Sequence, residues 1–205
     1  MGFPEERLSW ARENGWVYEA RRTIQPDLFG QLSWRGPGER DRATQVQGEI
    51  RGRYAGRPAF AHDRPLPLLR AEVRAQVRYG RISGVAATTD LPTTFVLLDR
   101  SGFRASVFPM PWAEGLTVAR RPFGTTTAVW AQPGYEDLAL AALAPLLQQV
   151  QQVLEGGSGG DYLVGTAGRQ VLVGEQFSSG PRAALYRMGL ADDVATRLEG
   201  AVLAR

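Results

Sequence analysis

The most regular alternation of apolar and polar positions in this chain runs from Leu69 to Tyr79. Leu69, Ala71, Val73, Ala75, Val77 and Tyr79 are separated by Arg70, Glu72, Arg74, Gln76 and Arg78 without a slip. A period of two belongs to a strand with one dry face and one wet face. A helix would also align Leu69, Val73 and Val77, but it would turn Ala71, Ala75 and Tyr79 to the far side. The strand is therefore predicted, against the individual helix preferences of Arg, Ala, Glu and Gln. It implies an antiparallel sheet with a core on one face and arginines on the other.

Reading the same patterns from the start of the chain predicts a short helix over Pro4–Asn14. Glu5 and Glu6 lie in its first turn and Asn14-Gly15 stops it. Phe3, Leu8 and Ala11 with a tryptophan would make its inner face. A strand over Trp16–Arg21 follows, and Gln25–Thr44 reads as loop. Val46, Ile50 and Tyr54 alternate with polar residues up to a turn at Ala55-Gly56-Arg57, and Pro58–His62 returns as a hairpin. The strand at 69–79 is expected to bend at Gly80 and to continue over Ile82–Thr88. Thr93–Leu98 and Phe103–Phe108 would flank a turn at Asp99–Gly102, and Leu116–Ala119 and Thr125–Trp130 would be two further strands.

The clearest helix is Asp137–Glu155, with Leu140, Leu143, Leu147, Val150 and Leu154 at helical spacing and a kink or break expected at Pro145. Gly156–Gly160 reads as a flexible connector. Asp161–Gly165 and Arg169–Gly174 would form a last hairpin across Thr166-Ala167-Gly168. A terminal helical segment would be capped by Ser178/Ser179, interrupted near Gly189 and restarted at Asp192-Asp193. The predicted fold is a single α+β domain over residues 1–205, an antiparallel sheet of about six to nine strands. The sheet would pack on one long helix, with short helices at both ends.

Two absences in the composition narrow the chemistry. No cysteine is present, which removes thiol nucleophiles, disulfides, thiolate metal sites and iron–sulfur clusters. No lysine is present either, so all 24 basic residues are arginine, a bias suited to a GC-rich genome. Without lysine a Walker phosphate loop and Schiff-base chemistry, including that of pyridoxal phosphate, are excluded. Gly156–Gly160 also lies after a helix, the reverse of the order a dinucleotide fingerprint needs. The N-terminus carries two glutamates where a secretory signal needs a basic and then an apolar region, and no apolar run is long enough to span a bilayer. A cytoplasmic location is expected.

Two stretches resemble a group of proteins from GC-rich bacteria to which no activity is attached. One is Trp10-Ala11-Arg12 with Gly15-Trp16-Val17-Tyr18; the other is Arg51-Gly52-Arg53-Tyr54-Ala55-Gly56-Arg57-Pro58. The group pairs a GW-x-Y opening with a G-x-y-x-GRP hairpin. The resemblance spans about the first third of the chain and implies a shared scaffold, with no catalytic residue and no cofactor.

Charge is uneven along the chain. Residues 35–81 carry 11 Arg against 5 acids, a net +6, leaving the remainder at −3. Arg51, Arg53, Arg70, Arg74 and Arg78, with Arg57 at the turn, would cluster if the strands bearing them were neighbours sharing an outward face. Guanidinium forks suit carboxylates and phosphates; the plain alternative is a solvated face whose arginine stems cover apolar surface. His62 is the only histidine, hence the only candidate imidazole base, but Asp63 beside it points to the opposite face of a strand and no G-x-S-x-G elbow occurs. Carboxylates at Glu136-Asp137 and Asp192-Asp193 are explained by helix starts. The expected function is therefore that of a non-enzymatic cytoplasmic protein. It would bind another macromolecule, a protein before a nucleic acid, through an arginine-bearing sheet face or a sheet edge. An anion or nucleic-acid binder using the same face is the alternative, and a hydrolase dependent on carboxylates or His62 is the third reading. No cofactor and no metal site is expected.

Overall fold

The computed structural model describes residues 3–25, 44–66, 78–98, 115–119, 127–155, 162–175 and 180–205. In chain order the elements are α1 (Phe3–Glu13), β1 (Val17–Ile24), β2 (Thr44–Tyr54), β3 (Arg57–Leu66), β4 (Arg78–Leu98), β5 (Thr117–Ala119), β6 (Thr127–Ala131), α2 (Glu136–Glu155), β7 (Tyr162–Glu175) and α3 (Pro181–Leu203). The class is α+β, and among the described residues every strand pair is antiparallel.

The predicted β2–β3 hairpin forms as read. Tyr54 pairs with Arg57 across a two-residue turn in which Ala55 and Gly56 both have positive φ, at 47° and 84°. Such a turn matches the twist of the strands it joins. β2 carries one extra residue opposite β3 between Gln47 and Ile50, where Gly48 has φ 57°. The bulge frees the Gly48 carbonyl, and the buried Arg7 of α1 donates to it at 3.0 Å.

β4 is the organising strand, at 21 residues. The sequence-predicted strands Ile82–Thr88 and Thr93–Leu98 are its two halves. β7 pairs along one side of it from Arg81 to Leu98; on the other side β3 pairs with Arg78–Val85 and β6 with Thr94–Leu98. The sheet thus runs β1-β2-β3-β4 at one end and β4-β6-β5 at the other. Of the predicted strand at 69–79, only Arg78 and Tyr79 fall among the described residues, where they begin β4; Arg70 and Arg74 lie outside them. Also outside are most of the loop read at Gln25–Thr44, the turn at Asp99–Gly102, the strand at Phe103–Phe108 and the connector at 156–160.

Three expectations are corrected. β7 is one strand and no hairpin: Gly168, φ 53°, sits at a shift of register against β4 and lets the strand continue past the apparent turn. The C-terminal helix is not short. α3 runs 23 residues unbroken through Gly189, and its N-cap is Gly180, with Ser178 and Ser179 outside the described residues. A Cβ at position 189 would come within 3.1 Å of the Tyr54 hydroxyl, so this glycine lets helix and sheet approach each other. Nor does the sheet pack on a single long helix. α3 lies on β4 and β7 through Ala184, Met188, Ala191, Ala195 and Leu198, a three-and-four spacing, and α2 lies largely against α3. α2 is 20 residues long and helical through Pro145.

The main core fills the space between sheet and helices. Ile50, Ala61, Val85, Val171 and Val173 meet Leu143, Leu147, Met188, Val194 and Leu198 there. Near the N-terminus Trp16 lies over Gly52, in contact with its α-carbon side, and Trp10 meets Trp16 edge-on at 5.3 Å.

Candidate interaction surface

The arginines singled out by the sequence separate into three groups. Arg51 and Arg53 alternate along β2 and share its outward side. Arg51 is 39% exposed; it bonds Glu19 of β1 at 3.1 Å and lies 3.2 Å from a Glu49 carboxylate oxygen. Arg53 is exposed and donates to the Gly56 carbonyl at the hairpin turn. Glu49 is buried, and Arg22 of β1 donates to both of its oxygens, at 2.8 and 3.1 Å. A buried carboxylate needs such partners to offset its lost hydration. The strip is therefore a lattice of Arg22, Arg51, Glu19 and Glu49, with Arg21 and Arg53 exposed beside it.

Arg57 faces the other way. Its Nε donates to Asp192 at 2.7 Å, and its two terminal nitrogens to the two oxygens of Glu199, at 2.9 and 2.7 Å. It clamps the hairpin turn to α3. Thr88 adds its hydroxyl to Glu199 at 2.8 Å, and its backbone N–H donates to the same oxygen. These bonds hold the Glu199 carboxyl down at about 2, with Arg57 the largest cause. Asp192 is thus a mid-helix clamp residue, where the sequence placed it at a helix start; Glu136 and Asp137 do open α2.

Arg78 belongs to neither group. β3 lies between β2 and β4, and Arg78 stands opposite Leu66 whereas Arg51 stands opposite Phe60. Six residues of strand separate the two points, about 20 Å at 3.3 Å per residue. The premise that the arginine-bearing strands are neighbours does not hold for Arg51 and Arg78.

His62 is sealed. It is 1% exposed and stacks on Phe60 at 5.3 Å, and neither ring nitrogen has a hydrogen-bond partner. Burial, with the fields of Arg64, Arg7 and Arg22, drives its pKa down to about 3. An imidazole so placed is neutral at any ordinary pH and touches no solvent-borne substrate. Asp63 points away from it to Arg7, at 2.8 Å.

The sequence reading missed the buried arginines. Arg187 of α3 is fully buried, donates to Glu175 of β7 at 2.9 Å and to the Ser83 hydroxyl at 3.2 Å. Its signal was available: Arg187 falls on the apolar stripe of Ala184, Met188 and Ala191, as Arg7 falls one turn before the buried Ala11. A charge on a dry stripe demands a buried counter-charge. An apolar cavity of about 10 Å³ is lined by Val96, Leu143, Leu146, Leu147, Val164, Leu190 and Val194. It is at the lower limit for a single water. Among the described residues no group of three or more His, Asp or Glu side chains is placed to hold a metal ion, and no helix is long and apolar enough to cross a membrane.

No protein-family model matches the sequence, and no curated protein is significantly similar to it. The fold has a counterpart among solved structures, the crystal structure of the mycobacterial trehalose monomycolate transport factor A, TtfA. The TM-score is 0.58 at 13% identity, and the match covers 98% of this chain and 94% of that one. At that identity the likeness is one of fold.

Proposed function

We propose that this chain is a non-enzymatic binding protein that docks another protein, in the cytoplasm, on the outward side of β1 and β2. The observation that carries the reading is the strip itself: on one strand Arg51 is half-buried and held by Glu19 and Glu49, and Arg53 is exposed and held at the hairpin turn by the Gly56 carbonyl. Guanidiniums already fixed, Arg51 by carboxylates and Arg53 by a backbone carbonyl, lose little side-chain freedom on meeting a partner, which favours directional pairing. Both signs of charge alternate across the strip, which suits a protein surface of mixed charge better than a uniform polyanion. The sealed His62 lends no support to a hydrolase built on it. The fold shared with a protein named as a transport factor is compatible with an accessory, binding role and brings no partner with it.

A pull-down from native lysate with the wild-type chain and an Arg51→Glu/Arg53→Glu variant tests this. A protein retained by the wild type and lost from the folded variant, in a salt-sensitive manner, supports the reading; equal recovery by both overturns it. Retention on heparin or a phosphate resin that the variant loses, with no protein captured, would favour the anion-binding alternative.

A further inference from the structure

β1 forms one margin of the sheet: among the described residues it pairs with β2 alone. Its eight residues contain no proline and no glycine, and its register with β2 keeps one frame on both sides of Ala20, which lies opposite the bulged Gly48. Ala20, Arg21 and Thr23 are exposed, and Val17 is 58% exposed. A strand margin presents unpaired N–H and C=O groups, and natural proteins usually blunt it with proline, a bulge or charged side chains. Here proline and bulge are missing, and the charges, Glu19, Arg21 and Arg22, are of both signs, so they oppose pairing in some frames and favour it in another.

We infer that β1 pairs antiparallel with β1 of a second copy, about a two-fold axis that passes through Ala20 at right angles to the sheet. Such an axis leaves each side chain on its own face, so facing residues must be symmetric about a residue and not about a peptide bond. Centring on Ala20 sets Glu19 against Arg21 twice, with Tyr18 against Arg22 and Val17 against Thr23. Centring on Arg21 or Arg22 would set two guanidiniums opposite each other, and centring on Glu19 two carboxylates. The strand is thus complementary to itself in one frame, which is the argument for a second copy over any other occupant. Glu19 is 41% exposed while it holds Arg51, leaving its carboxylate open to a second guanidinium.

The pairing joins two sheets, each of seven strands among the described residues, edge to edge. It puts both Arg51/Arg53 strips on the same face, with the two β2 strands about 14 Å apart at three strand spacings. Edge pairing alone buries less surface than a standard interface, so the dimer is reversible and depends on concentration. The inference rests on the β1 margin and stands or falls apart from the identity of any partner.

Sedimentation of the full-length chain over a concentration series tests it. The mass is expected to rise toward twice that of one chain. Glu19→Arg and Arg21→Glu should each restore the single-chain mass, and the combined Glu19→Arg/Arg21→Glu variant should recover the dimer. Because the chain has no cysteine, Ala20→Cys supplies a second readout: facing α-carbons at about 4.5–5.5 Å accept a disulfide. Mild oxidation should give a covalent dimer from Ala20→Cys and none from Arg197→Cys on the exposed side of α3. A single-chain mass up to the solubility limit overturns the inference, as does a dimer that survives both single reversals. So does failure of Ala20→Cys to cross-link more than Arg197→Cys.

Discussion

Replacing Glu199 by Gln removes one charge and almost no volume from the clamp that ties the β2–β3 turn to α3. In the folded chain Arg57 and Thr88 hold this carboxyl at about 2, against an ordinary value of 4.5. At about 1.36 kcal/mol per pH unit that difference is worth at most about 3.4 kcal/mol. The Glu199 side chain is 10% exposed and retains some water contact, and the Gln carbonyl can still accept one bond. A loss of about 2 kcal/mol near neutral pH is therefore expected, or roughly 4–8 °C in Tm for a chain of this size. The dependence on pH follows from the direction of the shift. A depressed carboxyl stabilises the fold above about 4.5, and that contribution disappears as pH falls toward 2, where both states bind the proton. Urea melts of wild type and Glu199→Gln at pH 7, 4.5 and 3 should show a gap that narrows steadily. A gap of constant size, or a variant as stable as wild type at pH 7, would refute the reasoning.

Three further outcomes follow from the same geometry. The C–H resonances of His62, the chain's one histidine, should stay unmoved from pH 8 to pH 4 in the folded protein, and His62→Phe should be neutral or stabilising by about 1 kcal/mol in urea melts, since it removes two orphaned polar atoms. Its lowered pKa also means that the fold loses stability as pH drops from 6.5 toward 3, where only the unfolded chain takes the proton. Arg187→Met should cost about 3–5 kcal/mol by stranding Glu175, and Arg187→Met/Glu175→Leu should cost less than that single change; an additive double-mutant cycle would contradict the buried pair. Gly52→Ala would drive a methyl group into the Trp16 ring and should cost about 1–3 kcal/mol in thermal melts.

Where a single strand or helix face decides the outcome, the sequence was readable. The β2–β3 hairpin with its turn at Ala55-Gly56, and the apolar face of α2 as far as Leu147, appear where the pattern put them, while the alternation of β2 is interrupted by the bulge at Gly48 and the buried Glu49. Errors arose where a turn signal had a second use. Gly168 marks a change of register in β7, and Gly189 marks a close approach to Tyr54. No local pattern could show that one continuous β4 would carry both halves of the sheet, because that depends on pairing with residues more than 60 positions away. The candidate strip was half legible. Arg51 and Arg53 share a face by period alone, but the sequence gives no sign that β3 stands between them and Arg78 or that Arg57 turns toward α3. The buried Arg7 and Arg187 break the rule that charges stay wet, and their counter-charges lie on other elements.

The two-sided pairing of β4 has a bearing on how this protein is made. Ile82 finds its partner at Gly174 and Leu98 at Tyr162, so one whole side of the central strand waits while the intervening chain is synthesised. At 5–20 residues per second that delay is about 5–18 s for the farther pair. Throughout it the nascent meander of β1 to β4 offers a raw hydrogen-bonding rim to whatever lies nearby on the ribosome. A holdase that shields this rim until β7 emerges, or slow translation ahead of Tyr162, would change the yield of native protein without touching its final stability.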